Sequence, residues 1–328
     1  MRRSTFIIGA GFTRSVFPDA PLNDGFVEAL ASCNANSVIA QLSEHYQEKN
    51  IEILMTKHFL DIITGKANLE NNRRAEYEIA NFCQRFRFTS DLSENTAWLT
   101  TFAKSAFSPE DAIVTLNYDC FLEGLLDHLG VWDPKSGYGG IVNPIVEKDA
   151  EGSSDIQILK VHGSENFTYK QMMDKPEFGA VTLEFDGRVL PRSASNQHFG
   201  SRSLLPGLGS HPDGARPYII LPGFVKISGP EINNTMLLAL ERAMGSRYLI
   251  VLGCGLRQED TFLWLLLTAF LYRNRIVDRR IVILSPDAKE IAERVRRYFG
   301  SSLDDYLVPI PSTLEEGWSR LVERTTDD

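Results

Sequence analysis

At 328 residues, the chain is long enough to bury a sizeable core, as one large α/β domain or as a domain with an insertion. Apolar residues make up 43% and charged residues 23%, ordinary for a globular protein, and the net charge of −9 argues against nucleic acid bound over a broad surface, which needs clustered cations. Cys33, Cys83, Cys120 and Cys254 stand far apart with no Cys-x-x-Cys pair, which excludes a zinc ribbon, indicates no disulfide framework and points to a cytoplasmic setting.

The chain opens with a short apolar strand over about residues 4–8, too brief for the core of a signal peptide, running into Gly9-Ala10-Gly11. Residues 24–107 carry hardly any strand signal. Phe26, Val27 and Leu30, then Ile51, Ile53 and Leu54, then Ile79, Phe82 and Phe86, then Trp98, Leu99 and Phe102 predict packed helices inserted after the first turn. A strand at 111–116 leads into an apolar helix from Phe121 to Leu129. Residues 133–155 and 164–216 are rich in Gly, Pro, Ser and Asp and predict loops and small hairpins, the second stretch forming a lid over the sheet's carboxyl edge. Further strands are expected at 156–161, 217–222, 247–252 and 280–284.

Helices are expected from Glu231 to Met244, from Phe262 to Tyr272 (a core helix too short to span a bilayer) and from Ser285-Pro286-Asp287 to about Tyr298. Strands alternating with helices predict an α/β fold, a doubly wound parallel sheet with an inserted helical subdomain. Arg273, Arg275, Arg279 and Arg280, followed by Arg294, Arg296 and Arg297, read as a solvated face, the alternative being a basic patch for a partner or an anionic ligand.

Four segments sit where strands end. In Gly9-Ala10-Gly11-Phe12-Thr13-Arg14, glycines allow backbone N–H groups to approach a phosphate. A dehydrogenase fingerprint would need a glycine at Arg14 and an acidic residue roughly 20 positions on, where this chain reads as helix, so an ordinary NAD dehydrogenase is disfavoured. Thr115-Leu116-Asn117-Tyr118-Asp119 places an amide beside a residue suited to capping the next helix. Lys160-Val161-His162-Gly163 places an imidazole at the sheet edge, suited to base catalysis near neutrality. Leu252-Gly253-Cys254-Gly255 repeats the strand-to-glycine turn, with Cys254 a small turn residue rather than a nucleophile, since no cation or histidine adjoins it.

Taken in this order, the four segments resemble the sirtuin (Sir2) superfamily. Gly9-Ala10-Gly11 looks like its opening loop, Thr115–Asp119 like its Thr-Gln-Asn-Ile-Asp motif, His162-Gly163 like its catalytic His-Gly, and Gly253-Cys254-Gly255 like its late loop against the adenosine ribose. Phe17-Pro18-Asp19-Ala20 partly matches the family's Pro-Asp-Phe-Arg stretch, one residue early and without the Phe and Arg. The resemblance implies a Rossmann-like, sirtuin-type domain over residues 1–328 with no zinc module, because no cysteine lies between Cys120 and Cys254. That departure resembles the Sir2-like domains of prokaryotic anti-phage defence, which hydrolyse NAD+ and act in assemblies.

The resemblance therefore implies Asn117 and His162 as the catalytic pair. Gly9, Ala10, Gly11, Phe12, Thr13, Asp19, Asp119, Gly253 and Cys254 would bind NAD+ as substrate, with no separate cofactor. It implies a homo-oligomer, and by family analogy a separately encoded ATPase or Argonaute-like partner. An NAD+ or ADP-ribose sensor module is the alternative, and a protein-lysine deacylase a third reading disfavoured by the missing zinc module.

Overall fold

The computed structural model describes residues 3–89, 91–92, 96–139, 156–172, 175–185, 188–189, 215–226, 228–272, 278–300 and 303–326. In chain order the strands are β1 Ser4–Ile8, β2 Ala112–Thr115, β3 Gln157–Lys160, β4 Gly163–Met172, β5 Lys175–Phe185, β6 Arg188–Val189, β7 Ala215–Ile219, β8 Tyr248–Leu252, β9 Arg280–Ser285 and β10 Leu307–Pro311. Six of them form one sheet in the order β10-β9-β8-β1-β2-β3, parallel throughout.

Every residue of β1 and β8 is buried, as expected of central parallel strands covered on both faces. Their side chains alternate between two cores. Phe6 and Ile8 join Phe102, Phe107, Phe121 and Leu125 on one face, while Ile7 joins Ala239, Leu263, Leu267 and Val295 on the other. Helices Ala97–Ala106, Phe121–His128 and Leu314–Thr326 cover the first face, and Pro230–Met244, Thr261–Leu271 and Ala288–Phe299 the second. The doubly wound α/β expectation is met. Because β1 is flanked by β2 on one side and β8 on the other, the winding reverses between β1 and β8. A ligand crevice opens beyond the carboxyl ends of strands at such a point.

The inserted region is helical. Phe26–Cys33, Val38–Tyr46, Ile51–Ile63 and Glu70–Cys83 pack around Leu30, Ile39, Leu54, Ile79 and Phe82. The Asn50 side chain caps Ile51–Ile63 by accepting from the amides of Glu52 and Ile53. Ile219 of β7 joins this third core.

Four expectations are corrected in whole or in part. The strand predicted at 217–222 is β7, which lies not in the parallel sheet but in a four-stranded antiparallel sheet of order β6-β5-β4-β7. The sixth parallel strand is β10, concealed in the sequence by Pro309 and Pro311, which an edge strand tolerates. Within the stretch predicted as loops and small hairpins, β4 and β5 do pair as an antiparallel hairpin, but one with long strands of 10 and 11 residues; residues 140–155 and 190–214 lie outside the described residues. In the arginine stretch, Arg273 and Arg275 also lie outside them. Arg279 is no surface cation: it is 4% exposed, donates to the Phe270 carbonyl and sits 5.6 Å over the Phe270 ring. Among the described residues no helix is long and apolar enough to cross a membrane.

Candidate catalytic and ligand-binding site

The first and fourth glycine segments lie against each other at the carboxyl ends of β1 and β8. The Gly9 amide donates to the Leu252 carbonyl at 3.2 Å, Gly11 to the Gly253 carbonyl at 2.9 Å and Phe12 to the Gly9 carbonyl at 2.9 Å. A Cβ on Gly9 would sit 2.9 Å from the Cys254 Cα, and one on Gly11 2.8 Å from the Gly253 oxygen. The glycines let the two loops touch. This revises the sequence reading of a phosphate cradle, because the amides of Gly9, Gly11 and Phe12 are committed within the loop pair and the helix they open, Ala10–Arg14, has only 5 residues.

The Thr115–Asp119 segment buttresses the same loop. The Asn117 carboxamide nitrogen donates to the Gly9 carbonyl at 3.2 Å and to Thr13 Oγ1 at 3.1 Å, leaving its oxygen as the end with which to meet a ligand. Thr13 in turn donates a hydrogen bond from its hydroxyl to Asp119 Oδ2 at 3.0 Å. Asp119 Oδ1 accepts from the Phe121 amide at 3.2 Å; the N-cap of helix Phe121–His128 is Cys120, so Asp119 braces the helix start from the position before the cap rather than being the cap itself. Burial pushes the Asp119 carboxyl up to about 6, against the lowering pull of Lys160, with Glu123 adding to the rise.

His162 leaves β3 at a sharp turn. Gly163 adopts a φ of +78°, and a Cβ there would collide with the Tyr218 carbonyl, so the chain can double back from β3 into β4 only with glycine at this position. The imidazole is 7% exposed. Its Nε2 lies 3.2 Å from Lys226 Nζ and 3.9 Å from Asp260 Oδ1, and Lys226 is ion-paired with Asp260. An ammonium has only donors, so Nε2 accepts and the ring proton sits on Nδ1. Burial, then the Lys226 charge, lower the His162 pKa to about 3, against Asp260 and a hydrogen bond with the Leu116 backbone. His162 is a neutral imidazole at physiological pH.

These segments open on one cavity of about 870 Å³. Gly9, Ala10, Gly11, Phe12, Thr13, Asn117, Asp119, His162, Gly253 and Cys254 all line it. Asp19 does not: it is exposed, and Ala20 of the same stretch lines the wall instead. Burial raises the Cys254 thiol to about 12, which suits a turn residue rather than a nucleophile. Cys33 is exposed while Cys83, Cys120 and Cys254 are buried, so a thiol reagent is expected to label one cysteine fast in the native protein and all of them only after unfolding. Rapid native labelling at a second site would contradict this packing.

Sequence reasoning missed several lining groups, Lys226, Asp260 and Glu52 among them. Asp260 carried a signal, an acidic residue at the head of the core helix and just past the glycine turn. Lys226 carried none, since only β7 and the segment after it bring it across. Glu52 comes from the inserted helix Ile51–Ile63, is 5% exposed and accepts from Asn23 Nδ2 at 2.9 Å. Burial, then Asp260, raise its carboxyl, while Lys226 and Arg257 oppose. Among the described residues no group of three or more His, Cys, Asp or Glu is placed to hold a metal ion.

No family model and no curated relative matches the chain. Among solved structures it is similar to a Sir2 homologue in complex with NAD, at TM-score 0.47 and 11% identity over 98% of this chain and 89% of that one. It is similar also to a mutant Sir2 homologue in complex with ADP-ribose, at TM-score 0.48 and 12% identity over 98% and 91%. A third is Sir2Tm bound to a propionylated peptide, at TM-score 0.44 and 12% identity over 98% and 92%. Likeness at this level assigns no residue a role.

Proposed function

We propose that this chain is an NAD+ glycohydrolase, cleaving the bond between nicotinamide and ribose, and that it serves as a defence effector that depletes NAD+ on phage infection. The observation that carries the reading is the convergence of Asn117 and a neutral His162, from the ends of two neighbouring strands, on one cavity beside the winding reversal. The motif order in the sequence supplies the dinucleotide. Its ribose and pyrophosphate would lie along the paired glycine loops, with cations of the wall such as Arg14 facing the phosphates.

The chemistry asks little of a general acid. The glycosidic electron pair moves onto the pyridinium nitrogen, releasing neutral nicotinamide and leaving an oxocarbenium-like ribose. Water adds to C1′, and its proton passes to His162 Nε2 and then to solvent. Asn117 would orient the ribose or the water through its carboxamide oxygen, and Asp119 would hold the loop. Incubating the purified chain with NAD+ and following nicotinamide tests this. Asn117→Ala and His162→Ala are each expected to lower release by about a hundredfold or more, and turnover equal to wild type in either variant would refute the assignment.

A second reading, an NAD+ or ADP-ribose sensor inside an assembly, is favoured by one feature: Lys226 occupies the proton-accepting nitrogen of His162. Calorimetric NAD+ binding without nicotinamide release, in the presence of any activating partner, would favour the sensor.

A further inference from the structure

We propose that Lys226, anchored on Asp260, is a positioning residue that governs when His162 can take a proton, its ammonium occupying Nε2 in the resting site. The inference rests on the assignment of His162 as proton acceptor in the reaction above.

The segment carrying Lys226 is tied down at both ends. The Ile220 amide donates to the His162 carbonyl at 2.8 Å, and the Tyr118 hydroxyl donates to the Ile220 carbonyl at 2.5 Å. Further on, the Phe224 amide donates to Thr56 Oγ1 of the inserted helix at 2.9 Å. Two residues later Lys226 reaches Nε2 at 3.2 Å and pairs with Asp260, its side chain 15% exposed. A strap from β7 therefore crosses from the imidazole to the inserted helix and returns a cation to the imidazole. The one lone pair through which His162 can act as a base is filled by a donor that is itself held in place.

Release needs a small motion. If Lys226 rotates off Nε2 while keeping Asp260, a water or ribose hydroxyl can take its place and pass its proton to Nε2. The imidazolium then faces Asp260, already 3.9 Å away, and Lys226 keeps all its protons. Four titratable groups surround the imidazole. They are Lys226 on the strap, Asp260 ahead of helix Thr261–Leu271, Glu52 of the inserted helix, which interacts with both, and Tyr118, whose ring centroid lies 6.4 Å from that of His162. Burial holds the Tyr118 hydroxyl neutral. Because the Phe224 contact lies on the inserted helix, a partner that moves that helix would also move Lys226.

The test is the titration of the His162 ring, followed by NMR in the full chain with and without Lys226. In Lys226→Met, Asp260 is left unopposed and the ring is expected to titrate at least about one pH unit above wild type. The double variant Lys226→Met/Asp260→Asn removes both members of the ion pair, and is expected to fall between the two. Lys226→Arg is expected to titrate with wild type. Equal titration of wild type, Lys226→Met and the double variant would overturn the proposal.

Nicotinamide release supplies the second arm. Lys226→Met is expected to raise turnover at neutral pH about tenfold, as a freed and more basic imidazole should, with its acidic limb displaced upward alongside the titration. Loss of turnover in Lys226→Met would overturn the restraint and make Lys226 a substrate contact. If the titration order holds but no variant releases nicotinamide, the glycohydrolase reading fails while the contact between Lys226 and His162 stands.

Discussion

Replacing Glu123 by alanine is expected to cost about 3–5 kcal/mol of folding stability, far beyond the loss of an ordinary ion pair. Lys160 ends β3 with its side chain fully buried, 2.7 Å from Glu123 Oε1 and 2.5 Å from the Asp119 carbonyl. Burial, the largest single influence, pushes the ammonium towards neutrality, but Glu123, Cys120 and Asp119 together outweigh it and the net direction is up. Tyr138 donates its hydroxyl towards the same carboxylate at 3.5 Å and accepts from Asn166 at 3.0 Å. Removing the carboxylate alone strands a cation beneath the loop that carries Asn117 and Asp119. Removing both charges, as Glu123→Leu with Lys160→Met, is expected to be nearly neutral or stabilising. Urea unfolding at unchanged slope reads the difference. A Glu123→Ala midpoint within about 1 kcal/mol of wild type would mean that the pair does not carry this weight.

The pair also shows where sequence reasoning runs out. Lys160 was visible only as the residue two before a histidine at a strand's end. Nothing local says that its side chain turns inward, because its partner sits 37 positions earlier on a helix. The strands β1, β2, β3, β8 and β9 were legible because each carries a short β-branched or apolar stretch followed by turn residues, and such signals are local. β10 was not, since Pro309 and Pro311 are tolerated only at an edge that sequence does not announce. β4 and β5 lie in a stretch whose glycines, prolines and serines read as loops and small hairpins; they pair with each other locally, and only the pairing of β4 with β7 is long-range.

The same division runs through the site. Asn117 and His162 were readable because each ends a strand, and parallel strands deliver their carboxyl ends to one edge. Asp19 was proposed from a partial motif match that no strand end supports, and it faces solvent. Glu52 and Lys226 depend on how the inserted helices and the β7 strap fold back over the sheet. The glycines were found for an incomplete reason. Phosphate approach was the sequence argument, whereas contact between two loops is what forbids a side chain at Gly9 and Gly11.

That contact makes Gly253→Ala a disruptive methyl to add to the loop pair. Gly253 has a φ of +55°, which alone costs a residue with a Cβ about 1–2 kcal/mol. Its Cβ would also strike the Phe12 amide nitrogen and lie 2.5 Å from the Gly11 carbonyl carbon. Both are backbone atoms that no rotamer can move, so the loops must separate, at a further cost of about 1–3 kcal/mol. Gly65 provides the control, with a φ of +73° and nothing within 4 Å of its would-be Cβ; Gly65→Ala should show the backbone cost alone. Parting the loops breaks the bond from the Gly11 amide to the Gly253 carbonyl. Through Gly9 and Thr13 it also releases the carboxamide of Asn117, which both residues hold. Gly253→Ala is therefore expected to lose the dinucleotide binding proposed above, by calorimetry, as well as stability, whereas Gly65→Ala, just past the C-terminal end of helix Ile51–Ile63, loses stability only. Equal losses in the two variants would place the cost of Gly253→Ala in its dihedral angle rather than in the contact between the loops.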